Sequence, residues 1–221
     1  MTRKVFEGQV LHLILLGVLM AGLYLTSYLP GFHDGSFLGL STTGWVLLSV
    51  GNAILHQIYV WLCWRLELHH RSLTRWLGPQ AFRSYQFGFT VLIVLRPFLA
   101  FALGWSNRGT LPIDPLVGYL FAALLVLPTG YLVYSIKTWF SFERAYGIDH
   151  FDASYRKMPL VRKGIFAWTP NAMYIFGFMA LWIPAFLFQS TAALVVAGFS
   201  HLYIWVHYFC TERPDMRRIY G

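Results

Sequence analysis

Long apolar runs separated by short polar breaks dominate the chain. A membrane-crossing helix needs about 20 mainly apolar residues. Six segments meet that length, at roughly 9–28, 43–64, 85–105, 116–140, 172–189 and 191–210. Gln189-Ser190-Thr191 alone separates the fifth from the sixth, which predicts a tight antiparallel hairpin. Two long connections remain, 65–84 and 141–171. The pattern predicts an all-α, polytopic membrane helix bundle of about six transmembrane helices, closed by a C-terminal helical hairpin.

Composition agrees with the pattern. The chain is 57% hydrophobic and 12% charged, with a mean hydropathy of +0.54. Soluble domains carry about 25% charged residues. A formal charge of +8 would suggest nucleic acid as the partner of a soluble protein. In a membrane protein it fits basic loops held at an anionic cytoplasmic leaflet, and no nucleic acid is expected. Fifteen of the seventeen basic residues fall on one side of the six segments. They are Arg3 and Lys4, the arginines of 65–84, those around 137–163, and Arg213, Arg217 and Arg218. Only Arg108 falls on the other side, and Arg96 lies within the third segment. The positive-inside rule makes the basic side cytoplasmic, with both termini there. The first apolar run has no small-residue cleavage site and reads as a retained helix rather than a signal peptide.

Several chemistries are not supported. Cys63 and Cys210 lie in or beside apolar segments, which suggests neither a disulfide framework nor a zinc site. The run Asp149-His150-Phe151-Asp152 has no metal-ligand spacing. Nucleophile-elbow, P-loop and dinucleotide fingerprints do not occur.

Polar residues inside the apolar segments are more informative. Asn52, His56 and Gln57 lie in the second, Arg96 in the third, and Ser200, His201 and His207 in the sixth. Such groups either bond neighbouring helices or face a cavity. A buried guanidinium requires a carboxylate or phosphate, so Arg96 is either an ion-pair member or a lipid headgroup contact. His201, Trp205, Tyr208 and Glu212 recur at helical spacing and predict one stripe. Glu212 stands at the basic boundary, where Pro214 is expected to end the helix; its ordinary role would be a surface ion pair with Arg213 or Arg217. The stretch "VRKGIFAWTPNAMYIFGF", residues 161–178, sets a proline-broken polar backbone against an apolar run. Irregular backbone at membrane depth occurs where protein or a wet cavity satisfies it. Its ordinary reading is a turn with Asn171 as helix N-cap.

Leu160, Val161, Gly164, Phe166, Trp168, Asn171, Tyr174 and Gly177 are followed, after an apolar hairpin, by "ERPDMRRIYG" with Glu212, Met216, Tyr220 and Gly221. This pair of motifs resembles that of the isoprenylcysteine carboxyl methyltransferase and phospholipid methyltransferase family of integral-membrane enzymes. "PNAMY" is similar to the N-P-M-Y form found in phospholipid N-methyltransferases. The resemblance covers residues from Gly147 onward. Pro170-Asn171-Ala172 replace the family's Arg-His-Pro, and Arg213 replaces its second glutamate.

The resemblance implies N-terminal transmembrane helices over 1–140 and a cofactor-binding region over 141–221, integrated in one membrane domain. It implies S-adenosylmethionine as cofactor and a lipid or lipophilic acceptor, most simply a phospholipid amine, with no metal. Gly147, Leu160, Val161, Gly164, Ile165, Phe166, Trp168, Asn171, Tyr174, Glu212 and Arg213 become the cofactor-binding candidates. Glu212, His150 and His207 are candidate bases for the amine, and Arg96, His201 and Tyr208 candidate acceptor contacts. The site would face the cytoplasm, at a bacterial inner membrane or the endoplasmic reticulum. Three alternatives accompany this reading. One is methylation of an isoprenylcysteine carboxylate. Another is an NADPH-dependent membrane reductase, with Arg213, Arg217 and Arg218 clamping a 2′-phosphate. The last is a non-catalytic scaffold that kept the fold and lost Arg-His-Pro.

Overall fold

A computed structural model describes residues 4–221; Arg3, used above for orientation, lies outside the described residues. The chain is a helical bundle whose elements begin with α1, Gln9–Thr26, and α2, Thr42–His70. Ser41 caps α2 by accepting from the Gly44 N–H. Helix α3, Ser72–Leu77, leads through a 3-10 turn at Gly78–Gln80 into α4, Ala81–Ser106. Helix α5, Pro115–Ser135, starts where the Asp114 carboxylate accepts from the Leu116 and Val117 N–H groups. A π turn, Ile136–Phe140, and the short α6, Phe142–Ala145, open the long connection. The chain closes with α7, Ile183–Leu187, α8, Thr191–His207, a π turn at Tyr208–Glu212, and α9, Arg213–Tyr220. The only strands among the described residues are the minimal pair Ser36–Phe37 and Leu40–Ser41.

Five helical stretches are long and apolar enough to cross a membrane: Gln9–Thr26, Thr42–His70, Ser72–Ser106, Pro115–Phe140 and Thr191–Tyr220. The fifth expected crossing differs. Met173–Leu187 is shorter and is split into a π turn at Met173–Gly177, a 3-10 turn at Phe178–Leu181, and α7. Pro184 in the first turn of α7 has no N–H for a continuous helix, so the ladder restarts there. The segment still links the two ends of the bundle. Tyr174 packs against Tyr208 at one end, and at the other Leu111 N–H donates to the Gln189 carbonyl. The hairpin between α7 and α8 is as tight as the sequence predicts, with Ser190 N–H donating to Ala185 O at 2.8 Å.

Asn107 knits one end together. Its amide donates to Gly31 O and Asp34 O, and its Oδ1 accepts from Ser190 Oγ and Ala192 N–H. The opposite end gathers residues 4–8, the 65–84 loop, the 141–171 connection and α9. Here Arg65 Nη1 donates to Lys4 O, and Arg218 pairs with Glu7. Helix α2 runs to His70, beyond the expected 64, which carries Arg65 and Glu67 into the interior instead of a loop. Pro214 does not end the last helix as expected. It sits in the first turn of α9, where a missing N–H has no helical partner to lose.

The main core packs α2, α4 and α8 through Val46, Val50, Ala53, Leu103, Ala193, Val196 and Tyr203. Small residues let helices approach closely, as suits a bundle in lipid. Val10, Leu13, Ile14, Leu120 and Leu127 point outward, giving α1 and α5 the apolar exterior that a bilayer solvates.

Candidate functional site

A cavity of about 390 Å³ lies between α2, α4, α5, residues 142–146, residues 173–181 and α8. Helical spacing builds its walls. His56, Val60 and Trp64 enter from one stripe of α2, and Phe89, Ile93 and Arg96 from α4. Thr129, Leu132 and Ile136 enter from α5 and its π turn, and Ile204 and His207 from α8. Val133 and Phe142 line the cavity and are also exposed on the bundle surface, so this wall reaches the exterior between α5 and α6.

Trp64 separates the cavity from a polar cluster at the basic end. His150 stacks on its indole, with ring centroids 4.2 Å apart and planes at 16°. Gly147 makes this possible: its φ is +82°, and a Cβ there would overlap the Trp64 ring. Behind His150 lies Asp215, fully buried, with Oδ2 3.6 Å from His150 Nε2 and 2.7 Å from Arg65 Nε. Arg65 also donates to the Cys210 and Thr211 carbonyls. Around this ion pair lie buried polar groups that make no well-formed hydrogen bond among the described residues: Glu212 Oε2 stands alone, Tyr85 OH lies beside Trp64, and Tyr220 OH lies beside Asp149. Glu212 lies within charge–charge range of Tyr85, Asp149 and Asp215. In the exposed connection, Asp152 accepts from Ser154 N–H at 2.8 Å, which holds its carboxyl below the usual range and commits it to a local turn.

The structure divides the residues singled out from the sequence. Gly147, His150 and Glu212 meet in the polar cluster. Arg96, Tyr174 and His207 line the cavity, and Tyr208 packs against Tyr174 at its edge. Gly164, Ile165 and Phe166 instead pack beneath α5: Ile165 N–H donates to Ser135 Oγ, and Phe166 stacks on Phe140 at 4.6 Å. Leu160 and Trp168 are exposed, Val161 packs partly buried against the same α5 cluster, and Arg213 lies over the Phe209 ring at 5.8 Å. His201 accepts from Trp182 Nε1 at 3.1 Å and is outside the cavity lining. Asn171 makes no side-chain cap; its N–H donates to Thr169 Oγ1. Glu212 pairs with neither Arg213 nor Arg217. The π turn that ends on it adds a residue to the helical turn and rotates it away from the stripe of His201, Trp205 and Tyr208.

Trp64, Arg65, Tyr85 and Asp215 belong to this site and were not singled out from the sequence. Trp64 lies eight residues after His56, so extending the polar stripe of α2 would have reached it. Asp215 gave a weaker signal, an acidic residue in the first turn of a helix beginning at a proline.

The fold and this site define a membrane-embedded helical bundle with an intramembrane cavity joined to a polar cluster at its basic end. The family model for phospholipid methyltransferase matches residues 117–221, from the first turn of α5 through α9. The match begins upstream of Gly147, where the motif resemblance started, and includes the α5 wall of the cavity. No curated protein and no solved structure matches the chain.

Proposed function

We propose that the protein transfers a methyl group from S-adenosylmethionine to the amine of a phospholipid headgroup. One observation carries this reading: a cluster of buried acids and phenols adjoins an apolar cavity that reaches the bundle exterior, within and beside the segment that matches the phospholipid methyltransferase family. The polar cluster suits the cofactor. The carboxylates of Glu212 and Asp149 are acceptors for an ammonium group and ribose hydroxyls, and the Tyr85 and Tyr220 hydroxyls and Trp64 Nε1 add donors. When bound, the cofactor supplies a methyl group on a sulfonium with a good leaving group.

The residues of this chain then have to orient the acceptor, exclude water and move one proton. Apolar walls from Val60, Phe89, Leu132 and Ile204 exclude water and hold the acceptor, and alignment of this kind supplies much of a transfer barrier. His207 is buried at the cavity wall with both ring nitrogens free of partners among the described residues. Its imidazole is the group we assign to take the amine proton. A reductase is less well supported. Arg218 is engaged with Asp215 and Glu7, and Arg213 lies over Phe209, so these two arginines do not converge on a 2′-phosphate.

The test is transfer of tritium from methyl-labelled S-adenosylmethionine to phosphatidylethanolamine in vesicles holding the purified protein. Label in the lipid amine fraction is the expected result. Absence of label, with NADPH consumed instead, would overturn the reading.

A further inference from the structure

We infer that Arg96 and His56 form an anion site inside the cavity that holds the phosphate of the acceptor lipid. The inference rests on the proposed function for the identity of that acceptor; the anion site itself rests on geometry alone.

Arg96 is 6% exposed and His56 4% exposed, and both line the cavity. A guanidinium carries five donors and stays charged in proteins. Arg96 uses one of them, Nη2, on Ala53 O at a long 3.4 Å, and its Nε has no partner among the described residues. The Phe178 ring lies 5.3 Å from its centre and can screen but not neutralise it. No Asp or Glu lines this cavity. The ion-pair alternative for Arg96 therefore has no candidate acid among the described residues.

His56 stands within the electrostatic field of Arg96, and neither of its ring nitrogens has a partner among the described residues. The bundle satisfies polar groups readily where they serve packing. Asn52, one turn earlier on α2, donates to Leu92 O of α4 at 3.1 Å. Arg96 and His56 thus stand out as buried donors at the cavity wall that no protein acceptor satisfies among the described residues.

Depth strengthens the argument. Arg96 lies 15 residues into α4, about 22 Å from its basic-end start at 1.5 Å per residue. A lipid phosphate does not rest at that depth in a bilayer, and a lone cation there is equally unfavourable. Bringing the two together removes both penalties, and a guanidinium fork with an imidazole N–H matches phosphate oxygens. An acceptor held there presents its amine toward His207, between the anion site and the polar cluster.

The shared chemistry is a phosphate anion, whether from a lipid or free in solution. Binding is measured by calorimetry on the full chain in neutral detergent, with no methyl donor present. The probes are short-chain phosphatidylethanolamine, diacylglycerol with the same tails, and inorganic phosphate. The wild type is expected to bind the phospholipid at least about tenfold more tightly than the diacylglycerol, the usual scale of a charge-assisted hydrogen bond. Arg96→Met should bring the two within about twofold, Arg96→Lys should restore part of the preference, and His56→Phe should reduce it about threefold or more. Phospholipid binding tighter than inorganic phosphate marks the lipid as the source; equal binding marks free phosphate, and either supports the site. Equal binding of phospholipid and diacylglycerol by the wild type overturns it. So does a full preference in folded Arg96→Met and His56→Phe proteins. If Arg96→Met does not elute as a folded species, the wild-type comparison and His56→Phe decide. The binding measurement uses no methyl donor, so a preserved preference here together with no label transfer in the tritium assay would sink the proposed reaction and leave the anion site standing.

Discussion

Replacing Asp215 with Asn should destabilise the protein by about 3–5 kcal/mol, the usual cost of stripping one partner from a buried ion pair. Total stabilities of folded domains are about 5–15 kcal/mol, so about a fifth or more of the margin is at stake. Arg65 and Asp215 are both fully buried at 2.7 Å. Without the carboxylate, Arg65 keeps only the carbonyls of Lys4, Cys210 and Thr211 and no acid among the described residues. The reverse change is gentler. In Arg65→Met, Asp215 still has Arg218 Nη1 at 3.3 Å and His150 Nε2 at 3.6 Å. The double change Arg65→Met with Asp215→Leu should recover most of the loss, because neither charge is left alone. Equilibrium unfolding of Arg65→Met, Asp215→Leu and the double variant in mixed micelles, analysed as a double-mutant cycle, gives the coupling directly. A cost under about 1 kcal/mol for Asp215→Asn would refute the reasoning. So would an Arg65→Met protein less stable than Asp215→Asn.

Three further outcomes are expected. Glu212→Ala should weaken binding of S-adenosylhomocysteine by about 1–3 kcal/mol in calorimetry while leaving unfolding unchanged, since Glu212 Oε2 has no partner among the described residues to lose; unchanged affinity would return Glu212 to a structural role. Gly147→Ala combines strain at φ +82° with overlap of the Trp64 ring, so thermal unfolding should fall by about 1–3 kcal/mol and cofactor affinity should fall with it. His201→Leu should cost about 1 kcal/mol through the lost hydrogen bond from Trp182 and leave lipid binding intact, because His201 does not line the cavity.

The helices of this bundle were legible because each is an apolar run with local punctuation. Ser41, Asp114 and Ser190 sit at helix starts and cap them, and the polar break at 189–191 became the hairpin turn. The irregular elements were not legible. The π turns at Ile136–Phe140, Met173–Gly177 and Tyr208–Glu212 are fixed by what packs around them, and no residue type announces an extra residue in a turn. The site divided in the same way. His56, Arg96 and His207 drew notice as polar residues in apolar helices, and all three line the cavity. Leu160 and Trp168 were named through motif similarity, and this chain leaves them exposed. Asp215 was passed over because its partner lies 150 residues away, and no local pattern carries a pairing over that distance.

That distance has a consequence for biosynthesis. Chains emerge at about 5–20 residues per second, so α2 enters the membrane roughly 8–30 s before Asp215 has been made. Through that interval the Arg65 guanidinium has no acid to meet and must reach toward headgroups and water, as long basic side chains do at helix ends. The inner end of α2 is then provisional. Its last turns, and the Trp64 face that His150 later stacks upon, settle only when the final helix arrives and draws the charge inward. Maturation of the polar cluster is thereby coupled to synthesis of residue 215, and a nascent chain stalled before it would hold its earlier helices without its site.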